Sequence, residues 1–362
     1  GVVVEPEKVT KKIQQLLSQI REINAAEDIQ DVAVNINGKH LFTVSSRGLV
    51  SVSRADQTIS EDDIERVIKA AQTVSLPSNY EIIESFEKDF IIDGQGGIRQ
   101  PVGMKGVRLE VEVLNCCAFS PYLRNLSEAI LDAGLGIEAI IPSPLAASEA
   151  VLTPRQKELG VVLIDIGAAT TSMVVFEEGH LLHSAVFPVG SSHITNDIAI
   201  GLKVDVEVAE RIKKEFGTCV RTKGGARKKK IKILQGEEFI FSQKTLSEII
   251  EARVLEIFEM VNQELKKIDR QGKLPGGVVL TGGGAKLRKI EELGKKELKL
   301  ATRIGIPRRI LGIEEDPQVA ALAGLAIEAS LLERENEKSL FQENWLQKAI
   351  QKAKKIFKAF LP

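Results

Sequence analysis

The sequence has few cysteines and histidines, which limits the chemistry that its side chains can support. It contains 3 cysteines and 4 histidines in 362 residues. Cys116 and Cys117 are adjacent and adjacent cysteines rarely pair, so this small, odd set argues against a disulfide framework and indicates a reducing compartment. The histidines are scattered without the spacing of metal ligands, which argues against a histidine-based metal centre.

Long apolar runs and an excess of charge of one sign are also missing. No run of about eighteen apolar residues and no recognisable secretory signal occur, so the sequence offers no candidate transmembrane helix. The formal net charge is −1, and no overall field draws the chain toward nucleic acid. The basic run 221–232 lacks the aromatic residues that stack on bases. This run is either a solvated surface loop or a patch for an acidic partner or lipid.

What is present is the composition of an ordinary globular protein that is long enough for two domains. Apolar residues make up 43% of the chain and charged residues 27%. Strand-like and helical patterns are mixed along the chain, which predicts α/β architecture. The sequence begins with Gly1 and three valines, and we expect it to be cropped at its start.

A turn near the middle of the chain has the composition of a phosphate-binding loop. Residues 161–166 form an apolar, β-branched run that reads as a buried strand, and Gly167 then permits close backbone approach to a ligand. The turn adds a carboxylate, Asp165, and two hydroxyls, Thr170 and Thr171. A carboxylate near phosphates usually holds Mg²⁺, often through water. The alternative for this segment alone is an ordinary β-hairpin turn.

A second turn of the same kind follows about 115 residues later, at Gly282, Gly283 and Gly284. It follows another apolar run, and the helical spacing of the apolar residues from Leu287 onward predicts a helix start directly after the glycines. Such a junction attracts phosphate through free amides and the helix dipole. A glycine-rich connector is the alternative. Two such turns predict a nucleotide held between two halves, whereas a dinucleotide fold fits poorly because no G-x-G-x-x-G opens an early βαβ unit.

The C-terminal residues have a different character from the rest of the chain. Residues 333–344 are polar and charged and read as a linker, while the apolar residues of 345–361 fall within an arc of roughly 160° on a helix. The five lysines occupy the remaining arc. This pattern predicts an amphipathic helix lying in the headgroup region of an anionic membrane. The alternative is a terminal helix packed on the body of the protein or on a partner.

With these motifs in view, nearly the whole chain resembles the FtsA family of actin-like bacterial cell division proteins. The matching stretches are 164–171 (second phosphate motif), 277–285 (adenosine motif), 142–152 and 316–328 (first and second connecting motifs), and 59–63, 93–95 and 101–104 (inserted subdomain). The glycine motifs are shared with sugar kinases and Hsp70-like ATPases. The inserted subdomain and the terminal amphipathic helix are far more specific to this family.

The resemblance implies an α/β, actin-like ATPase fold with two lobes around an ATP–Mg²⁺ cleft. The implied domains are the remainder of the first lobe (1–44), the inserted subdomain (45–119), the first lobe continued with a connecting helix (120–157), the second lobe (158–332, with a small subdomain at about 203–272), the linker (333–344) and the amphipathic helix (345–362). The family's first phosphate motif, on an N-terminal hairpin, has no counterpart in this sequence. Residues 1–17 resemble the segment that follows that motif.

The resemblance also implies roles for residues that match family motifs. Asp165 would lie beside Mg²⁺, through water, and Glu149 would position the attacking water. The remaining nucleotide-binding residues implied in this way are Gly167, Ala168, Thr170 and Thr171 around the phosphates, Glu210 and Lys213 near adenine and ribose, and Gly282, Gly283 and Gly284 along the α-phosphate and ribose. Alternatives remain for two of these assignments, since Glu210 and Lys213 could form a surface ion pair and Glu149 could be a capping or surface acid.

The partners implied by the resemblance are FtsZ, the membrane, further copies of the chain and later division proteins, with no role for nucleic acid. Lys244 and Arg253 flank the region that would receive the acidic FtsZ tail, although solvated charges are the alternative. The membrane contacts would be Trp345, Leu346, Lys348, Ile350, Lys352, Lys355, Ile356, Phe357 and Phe360. The implied location is the cytoplasmic face of the membrane, peripheral, at the division septum.

Two kinds of alternative remain open at the level of sequence. The actin-like protein of type IV pilus assembly shares the fold and nucleotide site but normally lacks a basic terminal helix. A metabolic kinase of the superfamily would need a substrate-base aspartate, and an Hsp70-like ATPase would need a substrate-binding β-domain after the cleft. Ala168 and Ala169 stand where the family usually has glycine, so nucleotide binding is a firmer expectation than hydrolysis, and we predict a scaffold rather than an enzyme.

Overall fold

The structure is a computed structural model that describes residues 2–23, 29–220, 228–232, 238–308, 310 and 315–332. The predicted linker 333–344 and amphipathic helix 345–362 lie outside the described residues, as do residues 221–227 of the basic run. Among the helices that are described, none is long and apolar enough to cross a bilayer.

Helices and strands alternate along the chain, as predicted. The helices are α1 Pro6–Ile23, α2 Glu61–Gln72, α3 Ser120–Leu131, α4 Ser143–Val151, α5 Pro154–Leu159, α6 Ser191–Leu202, α7 Val206–Phe216, α8 Gln243–Lys267, α9 Ile290–Leu298 and α10, residues 320–332. The strands are β1 Asp31–Ile36, β2 Phe42–Ser51, β3 Tyr80–Ile92, β4 Gln95–Ile98, β5 Arg108–Phe119, β6 Gly136–Pro142, β7 Val161–Ile166, β8 Thr171–Glu177, β9 His180–Phe187, β10 Lys228–Lys232, β11 Glu238–Ser242, β12 Val278–Thr281 and β13 Thr302–Ile304. Short 3-10 turns occur at Gly283–Lys286 and Pro317–Val319.

The second lobe is built on a five-stranded sheet with the order β13-β12-β7-β8-β9. The strands β13, β12 and β7 are parallel, whereas β8 and β9 continue the sheet as antiparallel neighbours. Apolar side chains cover both faces of β7, with Ile164 in the core under the helices α6 to α9 and Leu163 in the core shared with α4. Burial on both faces explains why β7 reads as a continuous apolar run.

A small subdomain of the second lobe is formed by α7, α8 and the two-stranded sheet of β10 and β11. The long helix α8 buries one face, with Leu246, Ile250, Val254 and Ile257 at helical spacing. This face joins the core of the five-stranded sheet. The subdomain is therefore held to the lobe by apolar packing along one helix.

The first lobe contains the parallel pair β1 and β6, with α1 packed against α3. The hydroxyl of Thr10 donates to the carbonyl of Ala129 at 3.0 Å, which ties α1 to α3 at a buried point. The helix α4 follows β6 directly and extends toward the second lobe. Two parallel strands and three helices thus make up this lobe among the described residues.

The inserted subdomain is an antiparallel sheet with the order β2-β5-β3-β4, covered by α2. Its first strand, β2, is continuous and pairs with β5 over its whole length, and Gly48 in this strand serves packing and not a turn. A methyl group at Gly48 would lie 2.6 Å from the amide nitrogen of Ala71, so glycine lets α2 approach the strand.

The two helices that match the connecting motifs, α4 and α10, cross in close contact. A methyl group on Gly324 of α10 would overlap the carbonyl of Ala146 in α4. Ala320 and Ala323 lie in the same core cluster as Ala147. Small residues at this crossing let the two backbones touch, and the crossing lies between the lobes.

Candidate functional site

The two predicted phosphate-binding turns leave neighbouring strands at the same edge of the sheet. The strands β7 and β12 are parallel, and their register places Thr281 opposite Asp165. Because parallel strands present their carboxyl ends on one side, the turns at Gly167 and Gly282 begin side by side. The topology of the sheet, and not proximity in sequence, brings these turns together.

A cavity of about 1010 Å³ opens between the lobes at this edge. Eight of the predicted nucleotide-binding residues line it: Asp165, Gly167, Ala168, Glu210, Lys213, Gly282, Gly283 and Gly284. Its volume is at the upper end of the range for small-molecule sites, roughly 300–1,000 Å³. The structure therefore gathers residues from two distant turns and one helix around a single space of ligand size.

The triple glycine lies against the first turn because it lacks side chains. Gly282 has a φ of 81°, and a methyl group there would overlap Oδ1 of Asp165. At Gly283 an added methyl group would make only ordinary contact with Gln318, at 3.8 Å, and Gly283 lines the cavity. The sequence pattern predicts a helix directly after these glycines, but one 3-10 turn intervenes and α9 begins only at Ile290. The first amides of that 3-10 turn lack partners within the turn itself, as at any helix start.

The first turn is held rigidly by the start of α6. The amide of Gly167 donates to the carbonyl of Thr170 at 2.9 Å, which closes the hairpin. The amides of Ser191 and Ser192 donate to the carbonyls of Gly167 and Ala168, each at 2.9 Å. The carbonyls of Gly167 and Ala168 are thus both bonded to amides at the start of α6.

Asp165 is a half-buried carboxylate at the floor of the cavity. Burial raises the pKa of this carboxyl to about 6. The described residues include no hydrogen-bond donor to Asp165 and no group of three or more metal-ligating side chains. A lone carboxylate of this kind fits a Mg²⁺ ion whose other ligands are phosphates and water, and it does not fit an all-protein metal site.

Glu210 and Lys213 form a pair on α7 that faces the cavity. The Nζ atom of Lys213 lies 2.7 Å from Oε2 of Glu210 and donates to the hydroxyl of Thr195 at 2.8 Å and to the carbonyl of Ser191 at 3.0 Å. Burial alone would raise the pKa of Glu210, but hydrogen bonds from Lys213 and Thr195 lower it below its usual value. The carboxylate form of Glu210 is therefore favoured, and it lies beside the buried ammonium group of Lys213, unlike the partners in an ordinary surface ion pair.

The two predicted threonines do not line the cavity. Thr171 is fully buried within β8, and its hydroxyl has no hydrogen-bond partner among the described residues. The hydroxyl of Thr170 accepts from Nδ2 of Asn37 at 3.3 Å, and Asn37 does line the cavity. Direct phosphate contact by Thr171 is thus not supported, since its side chain is buried and does not line the cavity.

Glu149 lies apart from the other predicted site residues. It forms a short ion pair with Lys157 and lines a separate cavity of about 290 Å³. The residue of α4 that faces the nucleotide-sized cavity is Ser143, at the start of the helix. Six residues further along, a side chain points about 240° around the helix and lies about 9 Å away along its axis. The role of positioning water is therefore not supported for Glu149.

Several polar residues of the cavity were missed from sequence. Nδ2 of Asn35 donates to the hydroxyl of Ser143 at 2.8 Å, so two segments of the first lobe meet at the cavity wall. Lys286 pairs with Asp316 at 2.5 Å and, with Gln318, lines the opposite wall. The cation at position 286, two residues after the last of the three glycines, was a usable signal. Asn35 and Ser143 belong to no recognisable phosphate motif.

The residues expected to receive the FtsZ tail do not form one patch. Lys244 is exposed at the start of α8, whereas the Arg253 guanidinium is half-buried and bonded to Asp197 at 2.7 and 2.9 Å. Nine residues on a helix correspond to a rotation of about 180°, so the two side chains leave α8 on opposite sides. Of these two residues, Lys244 alone carries its charge in solvent.

Comparison with known protein families gives two matches. The family described as "Cell division protein FtsA" matches residues 162–324, which contain both predicted phosphate-binding turns. The family described as "SHS2 domain inserted in FTSA" matches residues 38–116, which contain the sheet of β2, β3, β4 and β5.

Curated relatives match most of the chain. The Cell division protein FtsA of Pseudomonas aeruginosa is 34% identical over 319 residues, covering 87% of this chain and 75% of that protein. The same protein of Bacillus subtilis is 36% identical over 327 residues, with 90% and 73% covered. That of Escherichia coli is 30% identical over 337 residues, with 90% and 80% covered.

Solved structures share the fold at lower identity. The PilM–PilN type IV pilus biogenesis complex matches with a TM-score of 0.62 and 19% identity, over 91% of this chain and 86% of that chain. MreB5 of Spiroplasma citri bound to AMPPNP matches with a TM-score of 0.51 and 20% identity, over 60% and 67%. These similarities confirm the predicted actin-like ATPase fold.

Proposed function

Because this chain belongs to the FtsA family of actin-like cell division proteins, we propose that it is a nucleotide-dependent scaffold that tethers FtsZ to the membrane. The scaffold lies on the cytoplasmic face of the cell membrane at the division septum and recruits later division proteins. Sequence relationship favours this function over pilus assembly, since the pilus protein shares the fold at only 19% identity.

The observation that carries the proposal is the shared cavity at the ends of β7 and β12, with eight predicted residues around it. Its ligand is ATP with Mg²⁺. Asp165 would hold Mg²⁺ through water, and the backbone of Gly167, Ala168 and the glycines from Gly282 to Gly284 would border the phosphates. Bound Mg²⁺ would neutralise phosphate charge. The fit rests on the unpaired carboxylate of Asp165 and on the glycine backbone at Gly283, both of which line the cavity.

The pair of Glu210 and Lys213 would border the adenine and ribose. Both side chains face the cavity from α7, and Lys213 is anchored by the Ser191 carbonyl at 3.0 Å. Their fixed geometry means that a nucleotide would meet groups that are already ordered. The resemblance to the family supports this assignment to the nucleoside end.

Nucleotide binding would bias closure of the two lobes about the crossing of α4 and α10. The glycine turn is tied to the start of α10, because the amide of Gly282 donates to the carbonyl of Pro317 at 2.9 Å. Closure would reshape the surfaces through which successive copies of the chain would contact each other head to tail. Repeated contacts of this heterologous kind build open filaments. We propose scaffolding and not catalysis, since Glu149 lies away from the cavity and alanines occupy positions 168 and 169.

Residues 345–362 would attach the scaffold to anionic lipid. Their apolar side chains would enter the headgroup region while five lysines meet the lipid phosphates. Each copy contributes one weak anchor, so filament formation would lengthen membrane residence through avidity. The FtsZ tail is acidic, and exposed Lys244 would assist its approach.

Co-sedimentation with anionic vesicles tests this function. The full chain should bring FtsZ into the vesicle pellet, and deletion of residues 345–362 should leave both proteins in the supernatant. A matched variant with Lys348, Lys352 and Lys355 changed to glutamine keeps the apolar face and should bind the vesicles on the order of 100-fold more weakly, because about 1 kcal/mol is lost for each of the three lysines near the surface. Undiminished pelleting of the deletion variant would contradict the membrane assignment.

A further inference from the structure

Lys286 connects the nucleotide-sized cavity to the start of α10. Its side chain is 50% exposed, and the residue lines the cavity beside the glycine turn. Its Nζ atom lies 2.5 Å from Oδ2 of Asp316, whose side chain is only 21% exposed and does not line the cavity. A cation of the cavity wall is therefore held by an anion that lies behind that wall.

The carboxylate of Asp316 also caps the turn from which α10 continues. Its Oδ1 atom accepts from the amide of Gln318 at 2.8 Å, in the manner of an N-cap residue. The hydrogen bond from Lys286 lowers the pKa of the Asp316 carboxyl below its ordinary value, and the Gln318 amide lowers it further. Asp316 is thus bonded to the helix start through one oxygen and to the cavity wall through the other.

The same helix start has a second connection to the glycine turn. The carbonyl of Pro317 accepts from the amide of Gly282 at 2.9 Å and from the hydroxyl of Thr281 at 3.0 Å. Thr281 is fully buried, whereas Lys286 is half exposed. The bonds at Pro317 are therefore fixed by packing, while the bond between Lys286 and Asp316 is free to exchange.

A polyphosphate in the cavity would compete with Asp316 for Lys286. An ammonium group on a flexible four-carbon stem can turn toward either anion. A phosphate beside Gly283 and Gly284 would offer more negative charge than one carboxylate and would accept charge-assisted hydrogen bonds. A half-exposed ion pair changes an equilibrium constant by no more than about fivefold, so a phosphate can displace the carboxylate.

We propose that Lys286 is a polyphosphate-binding residue that Asp316 withholds until a nucleotide enters. In the nucleotide-free chain Lys286 is bonded to Asp316. In the nucleotide-bound chain it is bonded to a phosphate oxygen, and Asp316 keeps the Gln318 amide alone. This inference rests on the proposed function, because it assigns a further residue to the same polyphosphate site.

The exchange also changes how α10 is held. Its start loses the side-chain bond to the cavity wall and keeps the two bonds at Pro317. Gly324, which touches Ala146 of α4 at the crossing between the lobes, follows Asp316 by eight positions. This separation is roughly 12 Å along a helix. The presence of a nucleotide therefore acts on the helix that crosses between the lobes.

ATP binding by four versions of the full chain tests the exchange. These are the unmodified chain, Lys286→Met, Asp316→Asn and the double variant, and calorimetric titration with Mg²⁺ at low ionic strength gives each Kd. Methionine keeps the apolar stem of Lys286, and asparagine keeps the oxygen that caps Gln318. We expect Lys286→Met to weaken binding at least about fivefold and Asp316→Asn to strengthen it about three- to fivefold. In the Lys286→Met background, Asp316→Asn should change nothing.

The double variant separates exchange from a general effect of charge. Loss of a carboxylate near an anion site strengthens binding even without Lys286, so an equal gain in both backgrounds would overturn the proposal. Weaker binding by Asp316→Asn would overturn it as well, because Asp316 would then hold Lys286 in place for the phosphate. The matched control is Glu292→Gln, which breaks a 3.5 Å pair with Lys289 outside the cavity. This control should stay within about twofold of the unmodified chain.

Hydrogen exchange at the amides of residues 318–323 tests the effect on α10. ATP should speed their exchange at least about twofold in the unmodified chain, since the helix start opens locally once Asp316 is released. The same amides should not respond in this way in Lys286→Met. If ATP slows exchange equally in both proteins, the effect on α10 is wrong.

Adenosine separates failure of this inference from failure of the proposed function. It lacks phosphates, so the unmodified chain and Lys286→Met should bind it equally. If all four proteins bind ATP with one affinity, the exchange is wrong while the nucleotide site stands. If the unmodified chain binds neither ATP nor adenosine, the proposed function is wrong and the exchange is wrong with it.

Discussion

The carboxylate of Asp165 lies directly against Gly282, the first residue of the triple-glycine turn. A methyl group on Gly282 would overlap Oδ1 of Asp165 and lie 2.6 Å from the carbonyl oxygen of Ile166. The two residues are 117 positions apart in the sequence, and the parallel register of β7 and β12 joins them. This contact defines the floor of the nucleotide-sized cavity.

Substitution Gly282→Ala should destabilise the protein by about 2–4 kcal/mol, because the overlap with Asp165 adds to the strain of an alanine at a φ of 81°. The matched control is Gly103→Ala, where φ is 85° and no atom lies within 4 Å of the added methyl group. The control should lose only the stability that alanine costs at a positive φ, about 1 kcal/mol. Denaturant unfolding of both variants measures the difference, and equal losses would show that Asp165 does not crowd Gly282.

Substitution Asp165→Asn should make nucleotide binding insensitive to Mg²⁺, since it removes the carboxylate that would hold the ion. Calorimetric titration with and without chelator compares this variant with the unmodified chain. We expect the chelator to weaken binding at least about tenfold in the unmodified chain only. An equal Mg²⁺ dependence in both proteins would contradict the assignment.

The pH dependence of stability provides a separate test of Asp165. Its folded pKa of about 6 lies above the ordinary value of 3.8, so the folded state binds more protons between these values. The nucleotide-free protein should therefore lose stability from this group as the pH rises from about 4 to 6. Asp165→Asn removes that loss and should gain about 1–3 kcal/mol at pH 7. The free energy of unfolding of both proteins is measured at pH 5 and pH 7. If Asp165→Asn is no more stable than the unmodified chain at pH 7, the predicted direction is wrong.

Lys213 and its neighbour Lys214 form a matched pair on α7 for testing the Glu210 contact. The Lys213 side chain is 8% exposed and bonded to three groups, whereas that of Lys214 is 75% exposed and lies 3.4 Å from the same Glu210. Lys213→Ala should lower the free energy of unfolding by about 2–4 kcal/mol and weaken nucleotide binding at least about tenfold. Lys214→Ala should stay within about 0.5 kcal/mol on stability and about twofold on binding. Similar losses in both variants would show that burial of Lys213 does not matter.

Lys244 and Arg253 should behave differently although both were predicted to receive the FtsZ tail. Arg253→Ala breaks the two bonds to Asp197 that join α8 to α6, which should cost about 1–2 kcal/mol of stability. Lys244→Ala should leave stability unchanged and slow association with an FtsZ tail peptide several-fold at low salt. Stopped-flow association at two salt concentrations measures this effect. If association is independent of salt in both the unmodified chain and Lys244→Ala, Lys244 does not take part in binding the FtsZ tail.

The fold and the centre of the site were predictable because local signals and topology agree there. Residues 161–166 and 277–281 are buried on both faces, so they read as strands without reference to their neighbours. Small residues follow each strand, and parallel pairing then forces the two turns to one edge. The pattern of residues therefore identifies the two turns, and the parallel register of β7 and β12 makes Asp165 and Gly282 neighbours.

The walls of the site were not predictable, because tertiary packing places them there. Asn37 follows the end of β1 and reaches Thr170 only because the first lobe packs on the second. Ser143 faces the cavity from the first residue of α4, while Glu149 turns away because the helix rotates about 240° between them. A motif identifies the helix, but its rotation about its own axis depends on packing that one sequence does not specify.

The central claim is that the turns at Asp165 and Gly283 hold one polyphosphate between them. A crystal structure of the chain with Mg²⁺ and a non-hydrolysable ATP analogue tests this most directly. We predict that the phosphates lie between these turns, with Mg²⁺ on the side of Asp165 and the nucleoside toward Glu210 and Lys213. A saturated crystal in which the nucleotide lies outside this cavity, or contacts only one of the two turns, would contradict the account.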